Sequence, residues 1–417
     1  MSEPTPRPLL VIGAGIAGVT AALEAAEAGR EVVLVEREPS VGGRVLRIHH
    51  YFPKLCPPSC GMEINTRRLE RNPRITVMTA TTVTGASRNG AGWTVTLQHA
   101  PAYVNTRCTA CGACSAVCPA KVADPFNLGM NQVPAIRLPH PNAWPKRFVL
   151  DRSACPAGCR ACVDACAYAA IDLDAQPTTS TVEVSAIVVA TGWQPYPIEK
   201  LPELGGGVLP DVVSNVQMER MASVTGPTGG KILRPSDGRA PARVAFVQCA
   251  GSRDVNHLPY CSAVCCLASL KQALYVKEQL SDAEVTIYYI DRRTPGRNED
   301  FLVKAAATAG VRLVKGKVGK VAKGHDGRLV LRVEDVEAGK LLEDQADLVV
   351  LATGMWPNLA TAALPVSVLR DEDGFVLDDA AARVFAAGVA RRPEDVAASV
   401  QDATGAAAKA IAAGRGV

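Results

Sequence analysis

The first 36 residues carry the pattern that most constrains how this chain can fold. A short apolar run, Leu9-Leu10-Val11-Ile12, leads directly into Gly13-Ala14-Gly15-Ile16-Ala17-Gly18. An Ala-rich stretch to Ala28 follows, and a second apolar run ends at Glu36. Glycines at this spacing let a pyrophosphate approach a helix N-terminus, and an acid after the second strand can bind a ribose. The order of strand, glycine turn, helix, strand and acid predicts a dinucleotide-binding α/β unit.

Later segments favour FAD over NAD as the dinucleotide. Gly42-Gly43-Arg44 resembles the second nucleotide contact of the two-dinucleotide-binding flavoprotein superfamily. Two strands that end in Ala-Thr-Gly, at 188–192 and 349–354, resemble the crossovers between the domains of those proteins. The stretch 384–388 resembles their strand beneath the flavin, although Val389 stands where they carry Asp. The predicted FAD-binding residues are Gly13, Ala14, Gly15, Ile16, Ala17, Gly18, Glu36, Arg37, Gly42, Gly43, Arg44, Ala190, Thr191, Gly192, Gly354 and Gly388.

A cysteine-rich stretch interrupts the flavin-binding pattern. Its first run, Cys108-x-x-Cys111-x-x-Cys114-x-x-x-Cys118-Pro119, has the spacing of bacterial ferredoxins, in which the fourth cysteine binds a neighbouring cluster. Four soft thiolates also suit zinc, and the proline after the fourth cysteine favours iron–sulfur. This run predicts a [4Fe–4S] site.

The second cysteine run departs from the ferredoxin spacing by one residue and lacks the final proline. An alternating stretch, Ala169–Leu173, follows it and predicts the strand that closes such a module. We expect two [4Fe–4S] clusters with crossed ligation. The expected ligands are Cys108, Cys111, Cys114 and Cys166 for one cluster, and Cys118, Cys155, Cys159 and Cys162 for the other.

The second nucleotide fold begins at Val244–Val247, and it lacks the expected glycine turn. The strand continues into a loop with Cys249, and the motif Cys261-x-x-x-Cys265-Cys266 opens the helix predicted for residues 263–280. Without that glycine-rich turn a pyrophosphate cannot approach the backbone there. Four cysteines in this loop predict a third, unusually spaced [4Fe–4S] cluster, with buried structural cysteines as the alternative.

Two smaller features stay open at the level of sequence. Cys56 and Cys60 flank two prolines and suit a redox pair, further cluster ligands or plain buried thiols. Arg292 and Arg293 follow a predicted strand and could hold the 2′-phosphate of NADP, but the missing glycine turn favours a surface or interdomain role.

Composition excludes several classes of protein. A net charge of +4 over 417 residues, without a run of basic residues, does not predict nucleic-acid binding. The 14 cysteines are grouped as metal sites are, which indicates a reducing compartment rather than disulfides. No apolar run is long enough to span a membrane, and the polar N-terminus resembles neither a signal peptide nor an anchor. We therefore expect a cytoplasmic protein.

The predicted fold is α/β, a thioredoxin-reductase-like flavoprotein with two dinucleotide-binding domains and an inserted ferredoxin-like 2[4Fe–4S] module. The predicted segments are 1–100 and 179–238 (FAD-binding domain, first part and return with a connector), 101–178 (iron–sulfur insert), 239–345 (second nucleotide fold with the cluster loop) and 346–417 (FAD-binding domain, last part). No general acid, nucleophile or open metal site is identifiable, so no catalytic side chain is predicted. The cofactors are expected to supply the chemistry.

The motifs together resemble the A subunit of heterodisulfide reductase over nearly the whole chain. The connector 226–238 and the Cys249…Cys266 loop join the motifs above in this resemblance. Two stretches, 51–64 and 249–257, are similar to the A subunit of the quinone-interacting membrane-bound oxidoreductase (Qmo).

The second resemblance implies a cytoplasmic electron-transfer subunit with FAD and iron–sulfur clusters. Its implied partners are a second flavin and iron–sulfur subunit, a haem-bearing membrane subunit, and adenylylsulfate (APS) reductase as electron donor or acceptor. The complex would link the quinone pool to dissimilatory sulfur metabolism, and this chain would contact the cytoplasmic face of the inner membrane only through its partners.

Three rival functions differ in testable ways. A soluble heterodisulfide-reductase-like A subunit, with or without electron bifurcation at the flavin, would pair with a cysteine-rich disulfide reductase. A stand-alone NAD(P)H-dependent flavoenzyme would need the missing glycine turn. A non-redox scaffold would leave the grouped cysteines without a role.

Overall fold

The computed structural model describes residues 7–414, with 21 strands and eight α-helices in that range. The strands are β1 Leu9–Ile12, β2 Val32–Val35, β3 Ile75–Met78, β4 Thr81–Asn89, β5 Gly92–His99, β6 Lys121–Ala123, β7 Gln132–Pro134, β8 Ile136–Arg137, β9 Val149–Leu150, β10 Thr178–Val184, β11 Ala186–Val189, β12 Trp193–Pro195, β13 Val212–Ser214, β14 Arg243–Ala250, β15 Glu284–Tyr289, β16 Val311–Lys323, β17 Leu329–Asp335, β18 Lys340–Ala346, β19 Leu348–Thr353, β20 Met355–Pro357 and β21 Val384–Ala386. The helices are α1 Ile16–Glu27, α2 Pro58–Arg71, α3 Ala113–Ala116, α4 Ala161–Asp164, α5 Asn215–Ala222, α6 Cys265–Gln279, α7 Asn298–Ala306 and α8 Val396–Ala413.

A five-stranded parallel sheet forms the centre of the first nucleotide fold, in the order β21-β11-β1-β2-β3. Strands β1, β2 and β11 are four-residue apolar runs that are buried throughout, as expected when both faces of a parallel sheet are covered. Helices α1 and α8 pack on one face. The antiparallel sheet β10-β5-β4 covers the other, where Trp93, Val95 and Leu97 meet the central strands.

The cysteine-rich insert leaves this fold through a hairpin. Strands β5 and β10 pair antiparallel from His99↔Thr178 to Trp93↔Val184, so the chain leaves after β5 and returns beside it. The insert contains α3, α4 and two short hairpins, β6–β7 and β8–β9, around a small core of its own. The predicted strand Ala169–Leu173 is wrong. Only Ile171 forms a bridge, to Val104, because no neighbouring strand offers a longer partner.

A seven-stranded sheet forms the second nucleotide fold, in the order β13-β19-β14-β15-β16-β17-β18. Its first five strands are parallel, and β17 and β18 extend it as an antiparallel hairpin. The short antiparallel pair β12–β20 lies where the chain crosses between the two folds. These crossovers follow the two Ala-Thr-Gly segments, and the predicted α/β architecture is confirmed.

No helix among residues 7–414 combines the length and the apolar character that crossing a bilayer requires.

Candidate functional site

The glycine turn after β1 leaves open space in front of one residue only. Gly13 has φ +101°, and a Cβ there would lie 2.4 Å from the carbonyl oxygen of Ala190. A Cβ on Gly18 would lie 1.7 Å from the carbonyl oxygen of Gly13. Gly15 has an ordinary backbone conformation, and the nearest atom to a Cβ there is the Cα of Gly43, 4.0 Å away. Gly13 and Gly18 therefore shape the turn, whereas Gly15 faces the space that a ligand needs.

Glu36 holds the turn from the end of β2. Its Oε2 accepts a hydrogen bond from the Ala14 N–H at 2.7 Å, and its Oε1 accepts one from the Glu38 N–H at 2.9 Å. Burial raises the pKa of this carboxyl above its ordinary value, and the two backbone N–H groups oppose that shift. The acid predicted to bind a ribose is thus also part of the scaffold of the turn.

A cavity of about 770 Å³ extends from this turn towards the second fold. This volume is within the range of small-molecule sites in proteins. Eleven of the predicted FAD-binding residues line it: Gly13, Gly15, Ile16, Ala17, Glu36, Arg37, Gly43, Arg44, Ala190, Thr191 and Gly192. Ala14, Gly18 and Gly42 support the turn from behind.

Two further predicted FAD-binding residues, Gly354 and Gly388, also lie outside the cavity wall. A Cβ on Gly354 would lie 2.7 Å from Leu258 Cδ1 and 2.8 Å from Ser262 Oγ, so this glycine permits close packing against the cysteine loop of the second fold. A Cβ on Gly388 would lie 2.6 Å from Ala17 Cβ, so this glycine permits close packing against α1. Their neighbours Met355, Ala387 and Val389 line the cavity instead.

Arg44 is a half-buried cation on the cavity wall. Its Nε donates to the carbonyl oxygen of Trp193, and its guanidinium carbon lies 5.2 Å from the centre of the Trp193 ring. Burial lowers the pKa of Arg44 to about 9. Among residues 7–414 no carboxylate forms an ion pair with it. A bound phosphate would supply the charge complement that the protein does not.

Helices α5 and α6 build the far wall, which sequence reasoning missed. Lys271 Nζ lies 2.9 Å from Glu219 Oε1, and both side chains are less than a tenth exposed. Gln272 Nε2 donates to the same Oε1 at 2.7 Å, and Lys271 Nζ donates to the carbonyl oxygen of His50 at 2.7 Å. Burial lowers the pKa of Lys271, and Glu219 opposes that shift. The Glu219–Lys271 pair places a buried, charge-compensated ammonium on the cavity wall.

The cysteine-rich insert supplies a third wall, which sequence reasoning also missed. Phe126, Arg137 and His140 line the cavity. The Phe126 and His140 rings stack with centres 4.8 Å apart, and the guanidinium of buried Arg220 lies 4.6 Å from the centre of the Phe126 ring. These residues carry no recognisable motif, and only long-range packing brings them to the site.

Unpaired polar atoms test whether the cavity suits a polar ligand. Four buried side-chain atoms without a hydrogen-bond partner within the described structure belong to cavity-lining residues: His140 Nδ1, Thr191 Oγ1, Gln272 Oε1 and Glu394 Oε1. Buried polar groups are normally paired. Together with the Gly15 opening and the unpaired Arg44, they fit a long ligand that carries phosphates and hydroxyls, as FAD does.

The insert groups its cysteines around its own core. Cys114 and Cys162 are buried in it, with Cys108, Cys118 and Cys166 packed beside them. Burial, reinforced by Cys108 and Cys111, raises the pKa of Cys114 to about 11. Burial also raises the pKa of Cys162, and Cys155 and Cys159 reinforce that shift. The members of each run therefore lie close enough to affect one another electrostatically.

The four cysteines of the second fold also converge. Burial raises the pKa of Cys265 far above its usual range, and Cys249, Cys266 and Cys261 reinforce the shift. Burial raises the pKa of Cys249 to about 11, with contributions from Cys266 and Cys261. The Ala263 N–H donates to Cys261 Sγ at 3.4 Å. The adjacent pair Cys265-Cys266 begins α6, so both thiols share one end of that helix.

No three His, Cys, Asp or Glu side chains within residues 7–414 are arranged to hold a single metal ion. In a four-iron cluster each thiolate binds a different iron atom, so its ligands are spread more widely than those of one ion. The two clusters with crossed ligation between the runs of the insert, and the third on Cys249, Cys261, Cys265 and Cys266, therefore remain predictions.

The two open features lie at the surface. Cys56 and Cys60 are exposed at the start of α2. Arg292 is exposed, and its guanidinium carbon lies 5.2 Å from the centre of the Tyr289 ring. Arg293 Nη2 lies 3.6 Å from Asp291 Oδ2. These contacts agree with a surface position for the arginine pair.

Comparisons with known proteins support this arrangement. The family described as FAD-dependent oxidoreductase matches residues 8–47, which contain the glycine turn and Glu36. The chain is 36% identical over 419 residues to the A subunit of the ferredoxin/F420H2-dependent CoB–CoM heterodisulfide reductase of Methanosarcina acetivorans, covering 97% of this chain and 53% of that protein. It is 35% identical over 416 residues to the A subunit of the H2:CoB–CoM heterodisulfide, ferredoxin reductase of Methanothermobacter marburgensis, covering 96% and 63%.

Residues 8–47 thus match a family of FAD-dependent oxidoreductases, and nearly the whole chain is similar to the A subunits of heterodisulfide reductases. It is also 36% identical to an iron–sulfur A subunit, form 2, of the CoB–CoM heterodisulfide reductase of Methanopyrus kandleri, covering 97% of this chain and 64% of that protein. It thus spans between half and two thirds of the length of these curated relatives. Among solved structures, thioredoxin reductase of T. acidophilum aligns with a TM-score of 0.52 at 13% identity, covering 97% of this chain and 98% of that one. The thioredoxin reductase of Lactococcus lactis gives 0.51 at 15%, covering 99% and 100%. These two likenesses confirm the fold alone.

Proposed function

We propose that this chain is the FAD and iron–sulfur electron-transfer subunit of a heterodisulfide-reductase-like complex. The observation that carries the proposal is that both cysteine-rich regions are attached to walls of one cavity. The insert contributes Phe126 and His140 to that cavity. Helix α6 begins at Cys265-Cys266 and contributes Ala268, Lys271 and Gln272. A flavin in this cavity would lie between two groups of candidate cluster ligands.

The residues of the cavity have distinct roles in this proposal. The Gly13–Gly15 turn and Arg44 bind and orient the phosphates of the cofactor. Buried Glu219 opposes the lowering of the Lys271 pKa by burial, and Lys271 Nζ is the group that can hold a proton on this wall. Phe126 and Trp193 exclude water from the cavity. FAD, when bound, supplies the exchange between paired and single electrons.

Reductive titration of the isolated chain tests this proposal. The chain, with FAD and anaerobically reconstituted clusters, is mixed with reduced methyl viologen, a one-electron donor. We expect both the clusters and the flavin to be reduced, and both to be reoxidised by a one-electron acceptor. A flavin that stays oxidised while the clusters are reduced would contradict a shared path. Proteins that co-purify with the native chain would identify the partner.

A second candidate is the Qmo type of complex. The similarity of stretches 51–64 and 249–257 to the Qmo A subunit favours it. The partners would then be a second flavin and iron–sulfur subunit, a haem-bearing membrane subunit on the cytoplasmic face of the inner membrane, and APS reductase. Quinol oxidation distinguishes the candidates. In a Qmo-type complex it appears only when the membrane subunit is bound, and in the first candidate it is absent from the native complex.

A further inference from the structure

The chain between the two cysteine runs of the insert reaches across the cofactor cavity. We call residues 124–144 the insert arm. At one end, Asn127 Oδ1 accepts a hydrogen bond from Arg220 Nε of helix α5 at 2.8 Å. At the other end, the Trp144 N–H donates to Ser40 Oγ at 3.0 Å, and the Val41 N–H donates to the carbonyl oxygen of Trp144 at 3.0 Å. The arm is therefore fixed to both nucleotide folds.

The contacts of Ser40 determine the tautomer of His140. Ser40 Oγ lies 3.1 Å from the carbonyl oxygen of Trp144 and 3.2 Å from that of Val41, and both of these atoms can only accept. When the single hydroxyl hydrogen points to one of these carbonyls, His140 Nε2, 3.1 Å from the same Oγ, is the donor. We assign the proton of the neutral ring to Nε2 on this basis.

His140 Nδ1 is left as an acceptor without a donor. It is buried and has no hydrogen-bond partner within residues 7–414. Burial, reinforced by Arg47 and Arg220, lowers the pKa of His140 to about 4, so the ring is neutral at pH 7. The stacked Phe126 ring, tilted by 21°, holds the imidazole plane in place. Leaving a buried acceptor unpaired is costly, which indicates that a ligand completes this site.

We propose that the insert arm is part of the FAD site and that His140 Nδ1 accepts a hydrogen bond from a sugar hydroxyl of the bound cofactor. The inference rests on the FAD binding of the proposed function and is independent of its electron-transfer partner. It also makes the iron–sulfur insert and the flavin thermodynamically linked, because each helps to hold the arm in place.

Two substitutions of His140 test the contacts of its two ring nitrogens separately. In His140→Gln the amide group lies near the position of Nε2, so the Ser40 contact is kept and the cavity acceptor is lost. In His140→Asn the side-chain oxygen lies near Nδ1, so the acceptor is kept and the Ser40 contact is lost. Titrating FAD into each full-length deflavo protein under anaerobic conditions measures the dissociation constants.

We expect His140→Gln to weaken FAD binding by about 3- to 10-fold, the value of one neutral hydrogen bond. His140→Asn should bind FAD within about twofold of the parent. Unchanged binding by His140→Gln, or equal weakening by both variants, would overturn the assignment. Iron content and circular dichroism show whether each variant is folded.

Hydrogen exchange gives a second measurement that needs no variant. Amides of the insert arm should become more protected when FAD is added to the parent deflavo protein, whereas those of β17 and β18, far from the cavity, should not change. Equal protection of the arm with and without FAD would contradict its role in the site. Failure of the parent to bind FAD would instead contradict the proposed function itself.

Discussion

Two strand–loop–helix units open the two nucleotide folds of this chain, β1–α1 in the first and β14–α6 in the second. In the first, only Gly13–Gly15 separate strand from helix, and the turn is too tight for side chains at Gly13. In the second, residues 251–264 intervene, and four cysteines lie at the end of β14, in this loop and at the start of α6. The same position in the fold thus offers backbone N–H groups in one unit and thiols in the other.

This difference shows that the same position in an α/β fold can suit chemically different ligands. In both units a parallel strand delivers the chain to the carboxyl edge of a sheet, where ligands bind in open α/β folds. A short glycine turn brings a helix N-terminus up to a phosphate. A longer loop can instead surround a cluster, and Cys249, at φ +56°, lies at the register shift of β14 just before that loop begins.

The largest expected effect is loss of the cluster in the second unit. Cys261→Ser should remove about four of about twelve iron atoms per chain, because a four-iron cluster needs its thiolate ligands. Iron and acid-labile sulfide are measured in anaerobic samples. Cys155→Ser is the matched control and should remove the same amount from the insert. A parent with about eight iron atoms, unaffected by Cys155→Ser, would show that the irregular run holds no cluster.

The next effect concerns the phosphate turn of the first unit. Gly15→Val should weaken FAD binding by about 10- to 100-fold, because its side chain would enter the space in front of the turn, where the nearest atom to an added Cβ is Gly43 Cα at 4.0 Å. The flavin absorption of the purified protein and a binding titration measure this. Gly405→Ala, in α8 and with no heavy atom near its added Cβ, is the control and should keep its flavin. Full flavin content in folded Gly15→Val would show that the site lies elsewhere.

A smaller effect comes from two carboxylates in opposite environments. Burial raises the pKa of Glu394 on the cavity wall, whereas the hydrogen bond from Arg253 lowers the pKa of Asp291 beside the cysteine loop. With its raised pKa, folded Glu394 binds more protons than the unfolded chain at pH values from about 4.5 up to its folded pKa. The stability that it contributes therefore falls as pH rises through that window.

Glu394→Gln should remove that decline in the deflavo protein. We expect its melting temperature at pH 7 to rise by about 1–2 °C, whereas the parent and the variant converge below pH 4.5. Thermal unfolding across this pH range measures the effect. Asp291→Asn serves as the comparison and should show no such gain at pH 7, because its carboxylate is stabilised by Arg253. A lower melting temperature for Glu394→Gln at pH 7 would contradict the burial argument.

The last prediction is that pyridine nucleotides have no effect on the flavin. NADH and NADPH should not reduce the flavin, because the second unit lacks the turn that holds their pyrophosphate, and Arg292 and Arg293 alone cannot replace it. Anaerobic mixing with either nucleotide, followed at the flavin absorption band, tests this. Rapid bleaching would remove the contrast between the two units and support a stand-alone flavoenzyme.

The parts of the structure that the sequence predicts are those whose geometry depends on residues close together in the chain. The β1–Gly13–α1 unit and the cysteine runs were predictable because their geometry depends on neighbours a few residues apart. Lys271, Glu219 and His140 were not, since each reaches the cavity through contacts more than fifty residues away in sequence. The wrong strand at Ala169–Leu173 shows the converse, because alternation alone cannot supply a pairing partner.

The hairpin through which the insert leaves the first fold has a consequence for biogenesis. The insert is contiguous in sequence, so its core can form as soon as residue 177 has been synthesised. The parallel sheet that hosts it draws strands from residues 9–12, 186–189 and 384–386, and contacts this distant in sequence form slowly. Its cavity is complete only after α8 has docked. Cluster assembly can therefore precede flavin loading on the growing chain, and the nascent protein would be an iron–sulfur protein before it becomes a flavoprotein.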